Sequence, residues 1–464
     1  MQRKHLLLPL SLVVALVASG LRCAALGVRD VHLWEASSVL MASRPVSELW
    51  LALSYDVHPP LFFLVARFWL TLFGASPASL RVFGAICSAA VAVTAAAMAW
   101  HLAGGGHRRR LLSAAAAGLY TATSPAAVLS IGLFRMYGLL AAASLLLFWH
   151  AINTQNRCRG GRLFALVALG SILGYLHYVG MLLCIGLLCS LVATPNSAPR
   201  RLALVLRLGC LWAAAFGPWA VTAARQTQAY WSASPTTETF VAIAQSVCYW
   251  GTGVAHAPRA LAILVAGSGV LGLVAVFGRS GRAVLLLAGA CASALLLCGC
   301  AFLLQPVMAN ARFWAPMAIL AVVGTSAAAA RWSPAAQATW LVALVGAQSI
   351  SLLFNPPTLD LLSPRCREVL DELQALRGRI TLVAPPPEAV MLEYHRRLRA
   401  MENVEIWCLT EVELGRHEPQ RAALPFARWI RWDELERLPA PIYIARDGRL
   451  IVWKANTVRY LPTP

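Results

Sequence analysis

The chain has 464 residues, of which 59% are hydrophobic and only 13% are charged. Soluble proteins carry about 25% charged residues, so this composition excludes an ordinary soluble protein and indicates a polytopic membrane protein. The formal charge of +19 does not indicate nucleic-acid binding, because the basic residues lie between apolar segments and form no basic stripe with interleaved aromatic residues.

Apolar segments of about 20 residues, each long enough to cross a bilayer as one helix, recur along the first part of the chain. The predicted fold class is therefore an α-helical polytopic membrane protein with about eleven transmembrane helices. The first segment could instead be a cleaved signal peptide, but its apolar stretch is longer than a typical h-region, which favours an uncleaved helix. The segments are residues 6–27, 80–102, 111–128, 136–152, 163–176, 179–194, 203–222, 260–277, 283–304, 313–330 and 337–354.

Arginines lie in alternate loops between these segments, for example in 108–110, 157–162 and 279–282. Cytoplasmic loops carry an excess of Lys and Arg. The pattern therefore predicts a cytoplasmic N-terminus and places residues 28–79 and the chain after Asn355 on the extracytoplasmic face.

Carboxylates are scarce before residue 355, and Asp30, Glu35, Glu48 and Asp56 lie close together while Glu238 lies apart. An ionised side chain near lipid costs roughly 2.5–3.5 kcal/mol. A cluster of acids in the first external loop, residues 28–79, therefore predicts a chemical role, although Glu48 is most simply part of a solvated helix face.

The segment Pro60–Phe73 in the same loop is apolar but too short to span a bilayer, which predicts a re-entrant or interfacial helix. Asp56 could cap this helix, and His58 could simply orient the turn before it. Arg67 and Arg81 are predicted to be interfacial anchors.

The loop over residues 223–259 is rich in aromatic and amide residues, and Thr236–Trp250 is predicted to form an amphipathic interfacial helix. Two interpretations remain open for it. Its aromatic residues could form a belt at the membrane surface, or the helix could be a lid over a site for a polar head group.

The composition becomes that of a soluble protein after Asn355, which predicts two domains: a membrane domain over residues 1–354 and a small extracytoplasmic α/β domain over residues 355–464. No glycine-rich phosphate loop occurs in the second domain. Cys366 and Cys408 could pair there if the compartment is oxidising. Helices are predicted at Arg365–Leu376 and Glu388–Met401, strands at Ile380–Ala384 and Val404–Leu409, and a hairpin at Pro441–Ala445 and Leu450–Trp453.

The sequence from Asp56 to Ala85, with its Asp-x-His-Pro-Pro-Leu start, resembles the opening of the bacterial relatives of dolichyl-phosphate-mannose protein mannosyltransferases. These are GT-C glycosyltransferases that use lipid-linked sugars. Three shorter segments resemble later parts of the family in the same order, namely Phe134–Tyr137, Leu176–Tyr178 and Ala311–Trp314. The resemblance covers roughly residues 1–350.

The resemblance implies a GT-C-like helix bundle in the bacterial inner (plasma) membrane, with an active site on its outer face. It implies a polyprenyl-phosphate-linked sugar donor, inversion at the transferred sugar, and a carboxylate of the first loop as base. The implied partners are this donor, a glycan, lipid or protein acceptor, and membrane lipid, and do not include nucleic acid.

The chemistry of the residues is consistent with those roles. Inverting transfer needs one carboxylate to deprotonate the acceptor, and it needs cations or hydrogen-bond donors at the leaving phosphate. The candidate catalytic residues are Glu35, Asp56 and Asp30. The candidate residues for the donor phosphate and the substrate are His58, Arg135, Tyr137, His177, Tyr178 and Arg312.

One residue departs from the family pattern, because Trp34 precedes Glu35 where the family commonly has Asp before Glu. The residue usually assigned as the base is therefore missing. Glu35 takes over that role, or Asp30 reaches into the site, or the activity is lost.

Two other function classes remain open. A transporter or flippase of lipid-linked saccharides would also use outward cations, but such carriers usually place ionisable groups at mid-membrane. A non-catalytic relative that binds a lipid head group would account for Trp34. Asp56 and His58 are potential ligands of a divalent metal ion, but two ligands are too few to define a site.

Overall fold

A computed structural model gives the fold. It describes residues 7–26, 31–154, 160–193, 198–229, 237–252, 282–303, 309–354, 362–374, 380–410, 428–431, 442–446, 449–454 and 457–460. The chain forms two compact units, and each is discontinuous in sequence. Unit 1 comprises Met1–Gly27 and Arg81–Pro357, and unit 2 comprises Val28–Leu80 and Thr358–Pro464.

The described part of unit 1 is helical. Its apolar residues and good helix formers favour helices that satisfy every backbone hydrogen bond internally, as the bilayer requires. The helices are α1 (Leu7–Leu26), α5 (Pro77–Leu102, which begins in unit 2), α6 (His107–Thr123), α7 (Pro125–Ile131), α8 (Tyr137–Thr154), α9 (Gly160–Leu176), α10 (Tyr178–Ala193), α11 (Ala198–Ala229), α12 (Thr237–Thr252), α13 (Arg282–Leu303), α14 (Ala315–Ala328) and α15 (Pro334–Phe354).

Among the described residues, five helices are long and apolar enough to cross a membrane, or six if the bent pair α6 and α7 forms one span. The protein is thus a multi-pass membrane protein. Nine of the predicted apolar segments overlap one α-helix each, and the segment 111–128 extends across the break between α6 and α7. Residues 260–277 lie outside the described residues. The total of about eleven spans stays a prediction.

The axes of α6 and α7 differ by 64°. Ser124, between them, has φ −63° and ψ 122°, and Pro125 is the first residue of α7. The residue before a proline is disfavoured in the helical region, so the Ser-Pro sequence ends α6 and starts α7 in a new direction.

Glycine allows α10 and α13 to pack closely. A Cβ atom added to Gly186 would lie 2.0 Å from Oγ of Ser293 and 2.8 Å from the carbonyl oxygen of Gly289. Small residues let membrane helices approach in this way, since helix association in lipid depends on van der Waals packing.

The N-terminal part of unit 2 contains three helices, α2 (Leu33–Ala42), α3 (Val46–Tyr55) and α4 (Leu61–Phe73). The last of these is the helix predicted for Pro60–Phe73, and it has 13 residues. Gly74 ends it with φ 72°, a conformation that glycine adopts without the steric cost of a Cβ atom.

The described residues of the C-terminal part of unit 2 form two helices and a six-stranded sheet of order β3-β2-β1-β4-β5-β6. The sheet is parallel from β3 to β4 and antiparallel from β4 to β6. The predicted helices, first two strands and hairpin appear, whereas β3 and β6 were not predicted. The elements are α16 (Leu362–Gln374), α17 (Pro386–Leu398), β1 (Ile380–Ala384), β2 (Val404–Thr410), β3 (Arg428–Arg431), β4 (Ile442–Arg446), β5 (Arg449–Lys454) and β6 (Thr457–Tyr460).

Unit 2 is held together by α17, which packs against β1 and β2 and also against α2 of the first loop. The hydroxyl of Tyr394 on α17 donates a hydrogen bond of 2.8 Å to the carbonyl oxygen of Ala75. Tyr394 is 1% exposed, so its side chain is buried at this contact. The first loop is therefore packed on the C-terminal elements, although the sequence predicted a separate domain after residue 354.

Strands β1 and β4 of this sheet meet where open parallel sheets often bind ligands. Helix α17, which follows β1, has Pro386 and Pro387 in its first turn. Prolines lack a backbone N–H, so these positions supply no donors to a phosphate. The described residues at the start of α17 thus form no nucleotide-type phosphate cradle.

Candidate functional site

Asp56 and His58 form an acid–histidine pair in unit 2. Oδ2 of Asp56 lies 3.1 Å from Nδ1 of His58, and the two side chains are 16% and 13% exposed. The ring of His58 makes an edge contact with Phe63 at 6.3 Å. The pair is therefore held in a turn, yet it remains accessible.

Asp56 belongs to the end of α3, where its backbone N–H donates to the carbonyl oxygen of Leu53 at 3.3 Å. Helix α4 begins with no side-chain cap. The interpretation of Asp56 as the cap of the following helix is thus wrong, and its carboxylate bonds to His58 instead.

Glu35 is fully buried at the start of α2. Its Oε2 accepts a hydrogen bond of 3.0 Å from the backbone N–H of His32. Nδ1 of His32 in turn accepts from the N–H of Trp34 at 3.1 Å, which completes a reciprocal capping box. The predicted base therefore has a structural role that the sequence analysis did not foresee, although the spacing of His32 and Glu35 is that of a capping box.

Two other residues near the start of the loop, Trp34 and Asp30, also bear on the choice of base. Trp34 is 43% exposed, so its ring lies at the surface where the family pattern would place a carboxylate. Asp30, the third candidate base, lies outside the described residues.

Arginines bring positive charge to the same part of unit 2. Arg44 is 8% exposed, and burial lowers the pKa of its guanidinium to about 10, while Glu48 raises it, Arg397 lowers it and Asp56 raises it. Arg44 thus remains a cation at neutral pH and interacts electrostatically with Asp56. The sequence analysis missed it, because an arginine in the turn between two helices gave no motif.

Arg67 has a different role from the predicted anchor at the membrane surface. Its Nη1 donates hydrogen bonds to the carbonyl oxygens of Ala42, at 3.4 Å, and of Arg44. These carbonyl groups lie in the last turn of α2 and just after it, where a cation is favourable. Arg81 is 2% exposed, so it is buried and does not reach outward as a surface anchor would.

A second cluster, in unit 1, joins Tyr137, His177 and Arg312 from three separate parts of the sequence. The rings of Tyr137 and His177 lie 5.5 Å apart, and both contact Phe313, at 5.8 Å and 5.3 Å. The guanidinium carbon of Arg312 lies 5.9 Å from the centre of the Tyr137 ring and 5.1 Å from that of Phe313. This Arg312 cluster is a cation on an aromatic wall, a favourable arrangement.

Two side chains of the Arg312 cluster can donate hydrogen bonds to a ligand. Nδ1 of His177 accepts from the N–H of Val179 at 3.1 Å, so in the neutral ring the proton lies on Nε2, which can donate. Tyr137 is 2% exposed, and within the described part of the chain its hydroxyl has no hydrogen-bond partner. A buried hydroxyl of this kind is suited to a ligand.

Arg135 is 4% exposed and lies two residues before Tyr137, between α7 and α8. Tyr178 does not join the cluster. Its hydroxyl donates to Oε1 of Gln226 and accepts from Nε1 of Trp219 at 3.0 Å. His177 and Tyr178 thus make different contacts. His177 lies between α9 and α10, whereas Tyr178 is the first residue of α10.

The described residues contain no group of three or more His, Cys, Asp or Glu side chains that could hold a metal ion. Asp56 and His58 supply two potential ligands, fewer than a divalent-ion site needs. Cys366 and Cys408 are free thiols, so the pairing considered for them does not occur in this structure.

Comparison with known proteins gave no matching family model and no matching curated protein. Solved structures with a similar arrangement include ArnT from Cupriavidus metallidurans bound to undecaprenyl phosphate, at 14% identity and a TM-score of 0.46 over 95% of this chain and 93% of ArnT. The apo state of the same protein gives 16% identity and a TM-score of 0.47 over 95% and 92%. The Archaeoglobus fulgidus oligosaccharyltransferase in complex with Zn and sulfate gives 12% and 0.46 over 83% and 61%. No TM-score among these three reaches 0.5, and the functional assignment rests on the side chains of the two clusters.

Proposed function

We propose that this protein is a membrane glycosyltransferase of GT-C type that transfers a sugar from a polyprenyl-phosphate donor to an acceptor on the extracytoplasmic face, with inversion. The observation that carries the proposal is the convergence of Tyr137, His177 and Arg312. Their sequence segments lie far apart, and each was selected by its resemblance to a GT-C segment.

The Arg312 cluster is suited to the phosphate of the donor. Arg312 supplies charge and planar donors that match phosphate geometry, and Tyr137 and His177 supply further hydrogen-bond donors. Glu238 is the only carboxylate in the sequence of unit 1, so the field of this unit is positive and favours an anionic ligand.

Asp56 is the best candidate for the base. Its carboxylate is partly exposed and bonds to His58. Glu35 is instead fully buried and already accepts a hydrogen bond from the N–H of His32. In the proposed step Asp56 takes the proton of the acceptor hydroxyl. The acceptor oxygen then forms a bond to C1 of the sugar while the bond from C1 to the phosphate oxygen breaks on the opposite face. The polyprenyl phosphate leaves with the electron pair, and its growing charge needs cations or hydrogen-bond donors nearby.

The test is sugar transfer by the full chain in lipid nanodiscs, with a panel of undecaprenyl-phosphate-linked sugars as donors. We expect Asp56→Asn to lower kcat by roughly 10²–10⁴-fold, the usual contribution of a general base. Arg312→Gln should lower kcat/KM by roughly 10²-fold, since it removes a donor at the developing charge.

Glu48→Gln and Arg331→Gln are the matched controls, because both residues are exposed and lie on the same segments as Asp56 and Arg312. Transfer that survives the Asp56 change would exclude it as the base. A wild-type protein that binds undecaprenyl phosphate but transfers no sugar in the panel would support the binding-only alternative.

A further inference from the structure

We propose that Trp250 on α12 is a positioning residue that fixes the backbone beneath Arg312. This inference rests on the proposed function, in which Arg312 binds the donor phosphate. It assigns a role to α12, for which the sequence left open a belt at the membrane surface or a lid. Trp250 is 3% exposed, so it is not part of a surface belt.

Two side chains of α12 bind the segment that carries Arg312, residues 309–314. Nε1 of Trp250 donates a hydrogen bond of 2.8 Å to the carbonyl oxygen of Ala311. The hydroxyl of Ser246, one helical turn earlier, donates to the carbonyl oxygen of Ala309. The segment includes a short 3₁₀ turn, Ala311–Trp314. Asn310 caps this turn, because its side-chain oxygen accepts a hydrogen bond of 3.2 Å from the N–H of Arg312.

Helix α12 is itself held at its C-terminal end by two neighbouring helices. The hydroxyl of Tyr120 on α6 donates to the carbonyl oxygen of Trp250. Nε2 of Gln348 on α15 donates to the carbonyl oxygen of Gly251 at 3.0 Å. Tyr120 and Gln348 are 2% and 0% exposed. Their bonds satisfy carbonyl groups that the C-terminal end of a helix leaves without a partner.

These hydrogen bonds connect α6 and α15 to the C-terminal end of α12, and Trp250 connects α12 to Ala311. Arg312 is the next residue, and its guanidinium must lie against Tyr137 and Phe313. Removing the indole N–H while keeping an aromatic ring frees the carbonyl group of Ala311. The turn can then rotate and carry Arg312 away from the aromatic wall.

The test compares Trp250→Phe with Trp212→Phe in the full chain. Trp212 is a matched control, since it is 5% exposed and its Nε1 donates to the carbonyl oxygen of Leu166 at 3.2 Å, between α11 and α9. We expect the dissociation constant for undecaprenyl phosphate in nanodiscs to rise roughly tenfold in Trp250→Phe only, the effect of losing about one buried hydrogen bond.

Hydrogen exchange of the ligand-free proteins supplies a second measurement that does not depend on the donor. The amides of Arg312 and Phe313, which bond to Asn310, should exchange faster in Trp250→Phe than in wild type or Trp212→Phe. Equal exchange and equal affinity in the two variants would overturn the inference. The amides could exchange faster in Trp250→Phe while the wild-type protein does not bind undecaprenyl phosphate. That result would support the positioning role and refute the proposed function.

Discussion

Glu35 has a structural role as a helix cap, and this role can be tested separately from the role of a base. As a cap, it needs only to accept the hydrogen bond from His32, which an amide oxygen can do as well. As a base, it must take up a proton, which an amide cannot do. The two roles can therefore be separated by a pair of substitutions at one position.

We expect Glu35→Gln to retain the stability of unit 2 and most of the transfer activity if Asp56 is the base. Glu35→Ala should lower the free energy of unfolding by about 0.5–2 kcal/mol, the usual effect of losing a helix cap. Thermal melts and transfer assays of both variants provide the measurement. Loss of transfer in Glu35→Gln at unchanged stability would instead make Glu35 the base.

The residues of the Arg312 cluster could be selected from the sequence because each lies in a short motif beside an apolar segment. The sequence alone could not indicate the roles of Trp250, Gln348 and Arg44. Their roles depend on which carbonyl or charged groups the fold brings near them, and no local pattern of residue types encodes that proximity.

Elements were predicted where local signals were strong. Apolar runs predict strand β1 and the two strands of the hairpin, β4 and β5. The sequence Asp447-Gly448 between β4 and β5 predicts the turn of the hairpin. Strand β3 was missed because it reads Arg-Trp-Ile-Arg, and strand β6 because it is short and partly basic. Their places depend on pairing with β2 and β5 rather than on their own composition.

The close approach of α10 and α13 gives a prediction at the scale of elements. Gly186→Ala places a methyl group against Ser293 and Gly289, and overpacking of this kind costs about 1–3 kcal/mol. We expect a lower melting temperature for the protein in detergent.

Gly346→Ala is the matched control, since nothing lies within 4 Å of the added Cβ atom at this position of α15. It should leave the melting temperature unchanged or raise it, because alanine is favoured over glycine in helices by about 1 kcal/mol. Similar melting temperatures for the two variants would contradict the close packing of α10 and α13.

At the scale of the molecule, the sequence indicated the change of composition near residue 355 but not the grouping of the first loop with the C-terminal elements. That grouping arises from the packing of α17 on α2 and from the bond between Tyr394 and Ala75. Contacts between segments so distant in sequence leave no periodic signature in either segment.

His395 makes the stability of unit 2 depend on pH. Burial lowers its pKa to about 4, with further lowering by Arg367 and Arg399, whereas an unfolded histidine has a pKa near 6.5. The folded state therefore binds fewer protons between these values. Stability is complete above about pH 6.5 and falls towards pH 4, with the unfolding constant rising up to about tenfold per pH unit.

Thermal melts of the full chain and of His395→Gln between pH 4 and pH 8 measure this effect. Other groups titrate in both proteins, so the difference between the two isolates His395. The melting temperature of wild type relative to the variant should fall as the pH decreases through this range. A difference that is constant with pH would show that His395 does not titrate in this way.

The discontinuity of unit 2 has a consequence for biosynthesis. Residues 28–80 leave the ribosome before residues 81–357, and their packing partners follow only after Thr358. At about 5–20 residues per second, tens of seconds separate the two parts of the unit. A nascent chain stopped after residue 357 would therefore hold Glu35 and Asp56 in a loop that lacks α17. The protein would gain these acidic residues early but their final arrangement last.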